Sequence, residues 1–317
     1  MNPWLALVLG LVVLYFGAQA LVKGGASLAL RLGLTPLVVG LTVMAFGTSS
    51  PEMVVSIQAA MTGNGAISIG NVIGSNICNI ALILGVCALI IPLTASAQVI
   101  RREVPIMIGA SVVALLMLLD KHLARWEGAV LLVGLVVYTV RTVQQARAET
   151  SAEAAKGFSD EFGPQPTGVG ISFLFVLIGL GGLIVGSHFF VEGAVTLAAS
   201  WGMSPVAIGL TVVAVGTSLP ELATSLVAAF RKEADVAIGN VVGSCLFNLL
   251  GILGVAALVS PIDAPGLEWG DLAVMLIISV ALLPLAKSGG RISRREGAVL
   301  LAAYVGYTTW LLARATS

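Results

Sequence analysis

Long apolar stretches follow one another along almost the whole chain, separated by short polar turns. Each is about 20 residues long, the length that an α-helix needs to cross a bilayer core of about 30 Å. Apolar and polar residues do not alternate within them, so the pattern does not predict a membrane barrel. Because backbone polar groups find no water in lipid, the stretches are predicted to be helices. We predict ten spans, at 3–22, 36–61, 65–92, 103–120, 124–142, 169–190, 204–230, 235–260, 269–286 and 294–314.

One long polar segment interrupts this pattern between the fifth and sixth spans, from Arg141 to about Thr167. Its composition is typical of a linker. We therefore divide the chain into a first unit at 1–142, a linker at 143–168 and a second unit at 169–317. The first span ends in a sequence resembling a signal-peptide cleavage site, but no basic region precedes it, so we interpret it as a retained helix.

The two units are copies of each other. With a shift of 169 residues, GLTVMAFGTSSPE at 40–52 falls on GLTVVAVGTSLPE at 209–221, and IGNVIGS at 69–75 falls on IGNVVGS at 238–244. About half of the positions from Gly40 to Ile90 are identical to their counterparts. Five spans per copy is an odd number, so the second copy must enter the membrane in the opposite orientation, as in secondary transporters. The predicted fold is an all-α integral membrane protein of ten transmembrane helices in two inverted five-helix repeats.

Charge supports this arrangement and orients it. Only 10% of the residues are charged, against about 25% in soluble domains. With the N-terminus outside, thirteen basic residues fall on the inner side and three on the outer side. Both termini are thus predicted outside and the linker inside, and the short loops are typical of a prokaryotic inner (cytoplasmic) membrane protein. The net charge of zero suggests no nucleic-acid partner, and the three cysteines, all in apolar runs, indicate packing rather than disulfides.

Glu52 and Glu221 are the exceptions to the rule that acids lie in loops or at span ends. An ionisable group at this depth costs at least about 2–3 kcal/mol, so it needs compensation. No lysine or arginine lies within their spans, which leaves a bound cation or a proton. Two protonated, hydrogen-bonded glutamates with a structural role are the alternative, and the symmetric placement argues against it.

The residues around each glutamate fit a hard cation, since Ca²⁺ takes six to eight oxygen ligands. Pro51 and Pro220 precede the glutamates and remove a helix hydrogen bond. With a glycine nearby in each copy, we predict that the helix opens at 45–49 and at 214–218 and frees carbonyl groups there. Four hydroxyl groups come from the same segments: Thr48, Ser49, Thr217 and Ser218.

A second motif, GNVxGSxxxN, follows in each copy. Ser75 and Asn79 are four residues apart, as are Ser244 and Asn248, so each pair lies on one helix face. A pure packing role is possible for any one of these residues, but their recurrence beside a glutamate motif in both copies favours a shared site.

GTSxPE followed by GNVxGSxxxN, twice in one chain, resembles the repeats of the cation/calcium antiporters, the sodium/calcium exchanger superfamily. This resemblance implies that ions bind at mid-membrane between the second, third, seventh and eighth helices. It also implies that Glu52 and Glu221 are central ligands and that carbonyls of Ala45 and Ala214 form flanking sodium sites. The surrounding ligands that it implies are Thr48, Ser49, Ser75, Thr217, Ser218 and Ser244. Some family members carry an aspartate where this chain has Asn79 and Asn248.

The resulting hypothesis is an antiporter that exchanges Na⁺ for Ca²⁺ by alternating access, with these ions as substrates and no cofactor. An H⁺-coupled calcium or cation antiporter is the nearest alternative, because a glutamate can exchange a proton for a metal ion. A cation channel with a two-glutamate filter is a more distant one. An enzyme is not expected, since the spans carry no HExxH motif and no paired aspartates.

Overall fold

The computed structural model describes residues 1–32, 34–149, 168–202, 214–265 and 267–316. The described part of the first unit has eight α-helices. They are α1 (Pro3–Leu32), α2 (Pro36–Val39), α3 (Ala45–Thr48), α4 (Ser50–Met61), α5 (Gly65–Ile77), α6 (Leu84–Ile90), α7 (Val104–Met117) and α8 (Arg125–Glu149). Wider π-helical turns occupy Gly40–Met44, Cys78–Ile83 and Val99–Glu103.

The second unit repeats this order in its described residues. Its helices are α9 (Val169–Ser200), α10 (Ala214–Thr217), α11 (Leu219–Phe230), α12 (Ala234–Leu246), α13 (Leu253–Val259), α14 (Trp269–Lys287) and α15 (Arg294–Thr316). A π-helical turn at Phe247–Ile252 matches Cys78–Ile83 of the first unit, and a 3₁₀ turn covers Ser288–Gly290. Part of the predicted span at 204–230 and most of the predicted linker lie outside the described residues.

Seven helical stretches of the described residues are long and apolar enough to cross a membrane, with α5–α6 and α12–α13 each counted as one stretch through its π turn. There are eight if the bent pair Leu37–Thr48 and Ser50–Met61 is one span. The prediction of a multi-pass, all-helical membrane protein is therefore confirmed, and the count of ten stays a prediction. One difference is that α1 runs on to Leu32 rather than ending near residue 22. Lys23, predicted in a loop, therefore lies within this helix, with its ammonium group over the ring of Phe175 at 5.1 Å.

Helices α1 and α9 pack along their length through glycine. A methyl group on Gly17 would lie 3.0 Å from the carbonyl oxygen of Gly179, and one on Gly186 would lie 3.0 Å from that of Gly10. Contacts this close are possible only for residues without a side chain. Since partners descend along α9 as they ascend along α1, these two counterpart helices run antiparallel.

Two short antiparallel strand pairs, which the sequence did not predict, connect the units. Strand β1 (Leu93–Thr94) pairs with β4 (Arg291–Ile292), and β2 (His122–Leu123) pairs with β3 (Ile262–Asp263). The shift of 169 residues places β1 on β3 and β2 on β4, so each pair is the counterpart of the other. In both pairs, a strand of one unit hydrogen-bonds to a strand of the other.

The segments that carry the second motif of each unit form the buried core of the molecule. The apolar segment Ala234–Val259 is 89% buried and Gly65–Ile90 is 72% buried, whereas Arg294–Arg314 is only 11% buried. The helices at the edge, α8 and α15, leave most of their apolar surface open, as lipid-facing helices do. Polar groups on α5 and α12 are thus enclosed by protein.

Candidate functional site

A break in the helix precedes each glutamate, at Ser49 between α3 and α4 and at Ser218 between α10 and α11. The first break bends the helix by 48°. Proline lacks the N–H group that would continue the helix, which explains both positions. The opening is narrower than the predicted 45–49 and 214–218, because Ala45–Thr48 and Ala214–Thr217 are still helical.

The carbonyl of Ala45 also differs from the expectation. It accepts the backbone N–H of Ser49 at 3.1 Å and the hydroxyl of Thr48 at 3.5 Å, so it is not freed by the break. On the second unit, Ala214 is the first residue of α10, and the carbonyl that Pro220 leaves without a helix N–H is that of Gly216. This carbonyl accepts the hydroxyl of Ser187 on α9 at 2.7 Å. The carbonyl that Pro220 frees is thus hydrogen-bonded to a neighbouring helix.

The two glutamates are held by serines of the opposite unit. Ser49 donates to Glu221 Oε1 at 2.8 Å, and Ser218 donates to Glu52 Oε1 at 3.3 Å. Each serine lies three residues before the other glutamate, so the two bonds cross between the units. Both carboxylates are only 1% exposed. Within the described residues, neither forms an ion pair with lysine, arginine or histidine.

Two asparagines form hydrogen bonds to the backbone carbonyls of these glutamates. Asn71 donates to the Glu52 carbonyl at 3.1 Å, and Asn240 donates to the Glu221 carbonyl at 3.4 Å. The same amide groups donate to the hydroxyls of Ser56, at 2.9 Å, and Ser225, at 3.0 Å. Each GNV asparagine therefore positions the glutamate of its own unit.

The predicted threonines occupy different surroundings. Thr48 is buried, with its hydroxyl 3.4 Å from Asn240 Oδ1 of the other unit. Thr217 is half-buried at the end of α10. Thr48 therefore contacts the asparagine that holds the backbone of Glu221, and it also lies beside the helix break that precedes Glu52.

The polar residues of the two GSxxxN motifs are buried, and their asparagines lie in the π-helical turns. Ser75 and Ser244 lie in the last full turns of α5 and α12. Asn248 donates from Nδ2 to Asn76 Oδ1 at 3.0 Å. Asn79 makes no side-chain hydrogen bond to any described residue. Wide π turns are frequent at functional sites because they interrupt the regular helix bonding.

Several oxygen atoms of this site are buried and have no hydrogen-bond partner among the described residues. They are Glu52 Oε2, Glu221 Oε2, Ser244 Oγ, Asn79 Oδ1 and Asn248 Oδ1. A buried polar atom left without a partner costs about 1–3 kcal/mol, so such a set calls for a ligand. All five are oxygen donors, two of them from carboxylates, which is the chemistry of a hard cation. Among the described residues, no three His, Cys, Asp or Glu side chains come together in a group that could hold a metal ion, so the further ligands of a cation here would be neutral oxygens.

Sequence reasoning missed Ser56, Ser225 and Asn76 as parts of this site. The two serines were detectable, since they are counterparts in the repeat and lie four residues after the glutamates. Asn76 gave no such signal, because its counterpart is Cys245.

A bundle of apolar helices around a buried carboxylate pair, with oxygens that have no partner among the described residues, is typical of a membrane protein that binds cations. The family model described as sodium/calcium exchanger protein matches residues 2–144 and again residues 171–313. The chain belongs to the sodium/calcium exchanger family. The two matched stretches begin 169 residues apart, at residues 2 and 171, which agrees with the internal repeat.

Individual relatives cover nearly the full length. A putative antiporter, CaxA of Alkalimonas amylolytica, is 40% identical over 95% of both chains. The sodium/calcium exchanger MaX1 of Methanosarcina acetivorans is 32% identical over 96% of this chain and 97% of its own. The solved structure of the sodium-calcium exchanger NCX_Mj, soaked with zero Na⁺ and Ca²⁺, superimposes with a TM-score of 0.83 and 33% identity. That match covers 98% of this chain and 100% of NCX_Mj.

Proposed function

We propose that this protein exchanges Na⁺ for Ca²⁺ across the membrane by alternating access. The observation that carries the proposal is the buried pair of carboxylates, Glu52 and Glu221, each with one oxygen bonded to a serine and one without a partner among the described residues. The relatives named as sodium/calcium exchangers support the choice of ions.

Formal charge indicates how the ions compete. Two ionised glutamates carry two negative charges, which one Ca²⁺ neutralises and which two Na⁺ neutralise equally. Asn79 and Asn248 add oxygen ligands but no charge. An empty site with two bare carboxylates at membrane depth is costly to move through a low-dielectric path. The protein thus changes its open side readily only when an ion is bound, and this restriction couples the two fluxes.

Alternating access requires two halves that exchange roles, and we propose that the repeats are inverted, with ten helices in all. The units are 1–142 and 169–317, joined by an inner linker at 143–168. Support comes from the antiparallel packing of α1 on α9 and from the reciprocal strand pairs. The thirteen-to-three distribution of basic residues favours both termini outside an inner membrane.

The test is uptake of radioactive Ca²⁺ into vesicles that contain the purified protein and are loaded with Na⁺. Uptake is expected only with an outward Na⁺ gradient, and Glu52→Gln or Glu221→Gln is expected to lower it roughly a hundredfold or more, because each removes a charge that a buried ion needs. Glu192→Gln is the matched control, since Glu192 is exposed on α9.

Other outcomes identify the alternatives. Uptake driven by a pH gradient and indifferent to Na⁺ would replace the sodium version with H⁺ coupling. Uptake that needs no counter-ion would indicate a channel. Normal Ca²⁺ transport by either glutamine variant would refute the site assignment.

A further inference from the structure

The two GSxxxN asparagines have the same place in the repeat but different surroundings. Asn248 donates to Asn76 Oδ1 at 3.0 Å. The shift of 169 residues places Asn248 on Asn79 and Asn76 on Cys245, so the counterpart of this bond is a contact between Asn79 and Cys245. The thiol of Cys245 does lie beside the Asn79 amide. A thiol is a weak hydrogen-bonding group, and neither polar atom of Asn79 has a hydrogen bond to a described residue.

The bond to Asn248 has a defined direction because Asn76 is itself fixed. Asn76 donates from Nδ2 to the backbone carbonyl of Cys245 at 3.4 Å, with the sulfur of Met275 at 3.9 Å as a second, weak acceptor. A carbonyl only accepts hydrogen bonds, so the nitrogen end of the Asn76 amide must face it. The oxygen end of Asn76 is then left for Asn248.

The same reasoning orients Asn248. Since an oxygen of Asn76 faces it, Asn248 must turn its nitrogen end toward Asn76, and its own oxygen points the other way. That oxygen is buried and accepts no hydrogen bond within the described part of the chain. A cation requires an oxygen ligand, and an amide N–H directed at it would be repulsive.

We propose that Asn76 is a positioning residue that holds Asn248 with its carbonyl oxygen toward the transported cation. This inference rests on the proposed function of the site. The bridge from the Cys245 carbonyl through Asn76 to Asn248 has a weaker counterpart, in which the Cys245 thiol lies 4.0 Å from the Asn76 carbonyl and beside Asn79. Because a thiol is a weak hydrogen-bonding group, Asn248 is the more firmly oriented oxygen ligand of the two. Ca²⁺ depends on this more than Na⁺, because it takes six to eight oxygen ligands.

The repeat itself supplies the test variant. Asn76→Cys gives the first unit the residue that the second unit carries, and it removes the amide that holds Asn248. The Michaelis constant for Ca²⁺ is expected to rise about tenfold, as is usual when a partner that orients a metal ligand is lost. The rate at saturating Ca²⁺ is expected to change less than twofold. The Ca²⁺ dissociation constant of the solubilised full chain, measured by calorimetry, is expected to rise in parallel.

A double variant separates positioning from general destabilisation. If Asn76 acts through Asn248, then Asn76→Cys has no further effect on the Ca²⁺ constants once Asn248→Ala is present. Equal and additive losses in both backgrounds would overturn the proposal, and so would an unchanged Ca²⁺ constant in Asn76→Cys. Should Asn76→Cys fail to fold, Cys245→Asn provides the test, because it offers Asn79 an amide partner. The Michaelis constant for Ca²⁺ should then fall. No change or a rise in this constant would contradict the proposal.

This outcome is distinguishable from failure of the proposed function. Wild-type protein that neither binds nor transports Ca²⁺ would refute the proposed function itself. Wild-type protein that binds Ca²⁺, with binding lost in Glu52→Gln but unaffected in Asn76→Cys, would refute only the role of Asn76.

Discussion

The crossed hydrogen bonds between serine and glutamate make the two oxygens of each carboxylate different. One oxygen of Glu221 accepts the Ser49 hydroxyl at 2.8 Å, and the other has no partner among the described residues. Glu52 has the same arrangement with Ser218 at a longer 3.3 Å. Hydrogen bonds to ionised groups favour the charged form, so each serine helps to keep the opposite carboxylate ready for a cation.

Removal of these hydroxyls should weaken Ca²⁺ binding to different degrees. Ser49→Ala is expected to raise the Ca²⁺ Michaelis constant roughly tenfold or more, because a bond to a charged group contributes about 1.5–3 kcal/mol. Ser218→Ala should have the smaller effect, since its bond is longer. Concentration-dependent Ca²⁺ uptake in vesicles measures both.

Ser50→Ala is the matched control for this prediction. Its hydroxyl donates to the Phe46 carbonyl at 2.9 Å, from α4 back to α3 of the same unit, and not to either glutamate. Equal effects of Ser50→Ala and Ser49→Ala would show that the crossed bond has no special role.

At this scale, the repeated motifs singled out most residues of the candidate site, and their role as ion ligands stays a prediction. The structure buries Glu52, Glu221 and the polar GSxxxN residues together, because each motif recurs with the same spacing. The partners of the individual atoms were not predictable. Asn76 does not recur, and the crossing of the serine bonds depends on how the two units face each other.

Among the helices, the α1–α9 pair depends most on small residues. Gly186 and Gly181 lie on the same helix, but a methyl group on Gly186 would be 2.7 Å from the Leu14 backbone nitrogen, whereas one on Gly181 meets nothing within 4 Å. Contact with a backbone atom cannot be relieved by turning a side chain. The two helices would have to separate.

Gly186→Ala is therefore expected to destabilise the protein by about 1–3 kcal/mol, the usual cost of overpacking. Gly181→Ala should be neutral or stabilising by up to about 1 kcal/mol, because alanine is the better helix former. Thermal unfolding of the two variants in the same detergent provides the comparison. A Gly186→Ala variant as stable as Gly181→Ala would contradict the close packing.

Helix breaks were predictable from proline, but the π turns were not. Pro51 and Pro220 fixed the place of the breaks, and only their width was wrong, since one residue absorbs the change of direction in each unit. The turns at Cys78–Ile83 and Phe247–Ile252 change the hydrogen-bond step by one residue. That change leaves the apolar composition of the segment unaltered, so no sequence pattern marks it.

For the molecule as a whole, the two strand pairs join the units at separate points and differ in chemistry. His122 Nδ1 lies 2.7 Å from Asp263 Oδ1 across the β2–β3 pair. The hydrogen bond that His122 donates to Asp263 raises the pKa of His122 above its ordinary value of 6.5. Burial opposes this rise, and the negative charges of Asp263, Asp120 and Glu127 add to it. The counterpart pair, β1–β4, has Arg291 where β2–β3 has His122.

This difference predicts a pH dependence at one strand pair. Because the folded-state pKa of His122 is raised, its contribution to stability is fully present below the unfolded value and is lost as the pH rises through the folded value. The melting temperature of the wild type relative to Asp263→Asn is expected to be higher at pH 6 than at pH 8. The effect should be small, since 40% of the His122 side chain and 79% of the Asp263 side chain are exposed to solvent, which screens the pair.

Arg291→Gln serves as the control, because arginine keeps its charge over this range. Its difference from the wild type should not vary between pH 6 and pH 8. An Asp263→Asn variant whose melting temperature follows the wild type at both pH values would contradict the prediction.

The shift of 169 residues predicted that the halves would correspond, and the family match to 2–144 and 171–313 agrees with it. It did not predict that strands of two residues would pair across the units. Such strands are too short to show a periodic pattern, and their partners lie far away in the sequence.

The crossed serine bonds also bear on how such a chain is free to change over evolution. Ser49 holds the carboxylate of the second half and Ser218 that of the first, so a substitution in either copy also affects the glutamate of the other. One half therefore cannot take on a new role while the other half keeps the old one. The exchange of amide for thiol between positions 76 and 245 marks a point where the twins have nevertheless diverged.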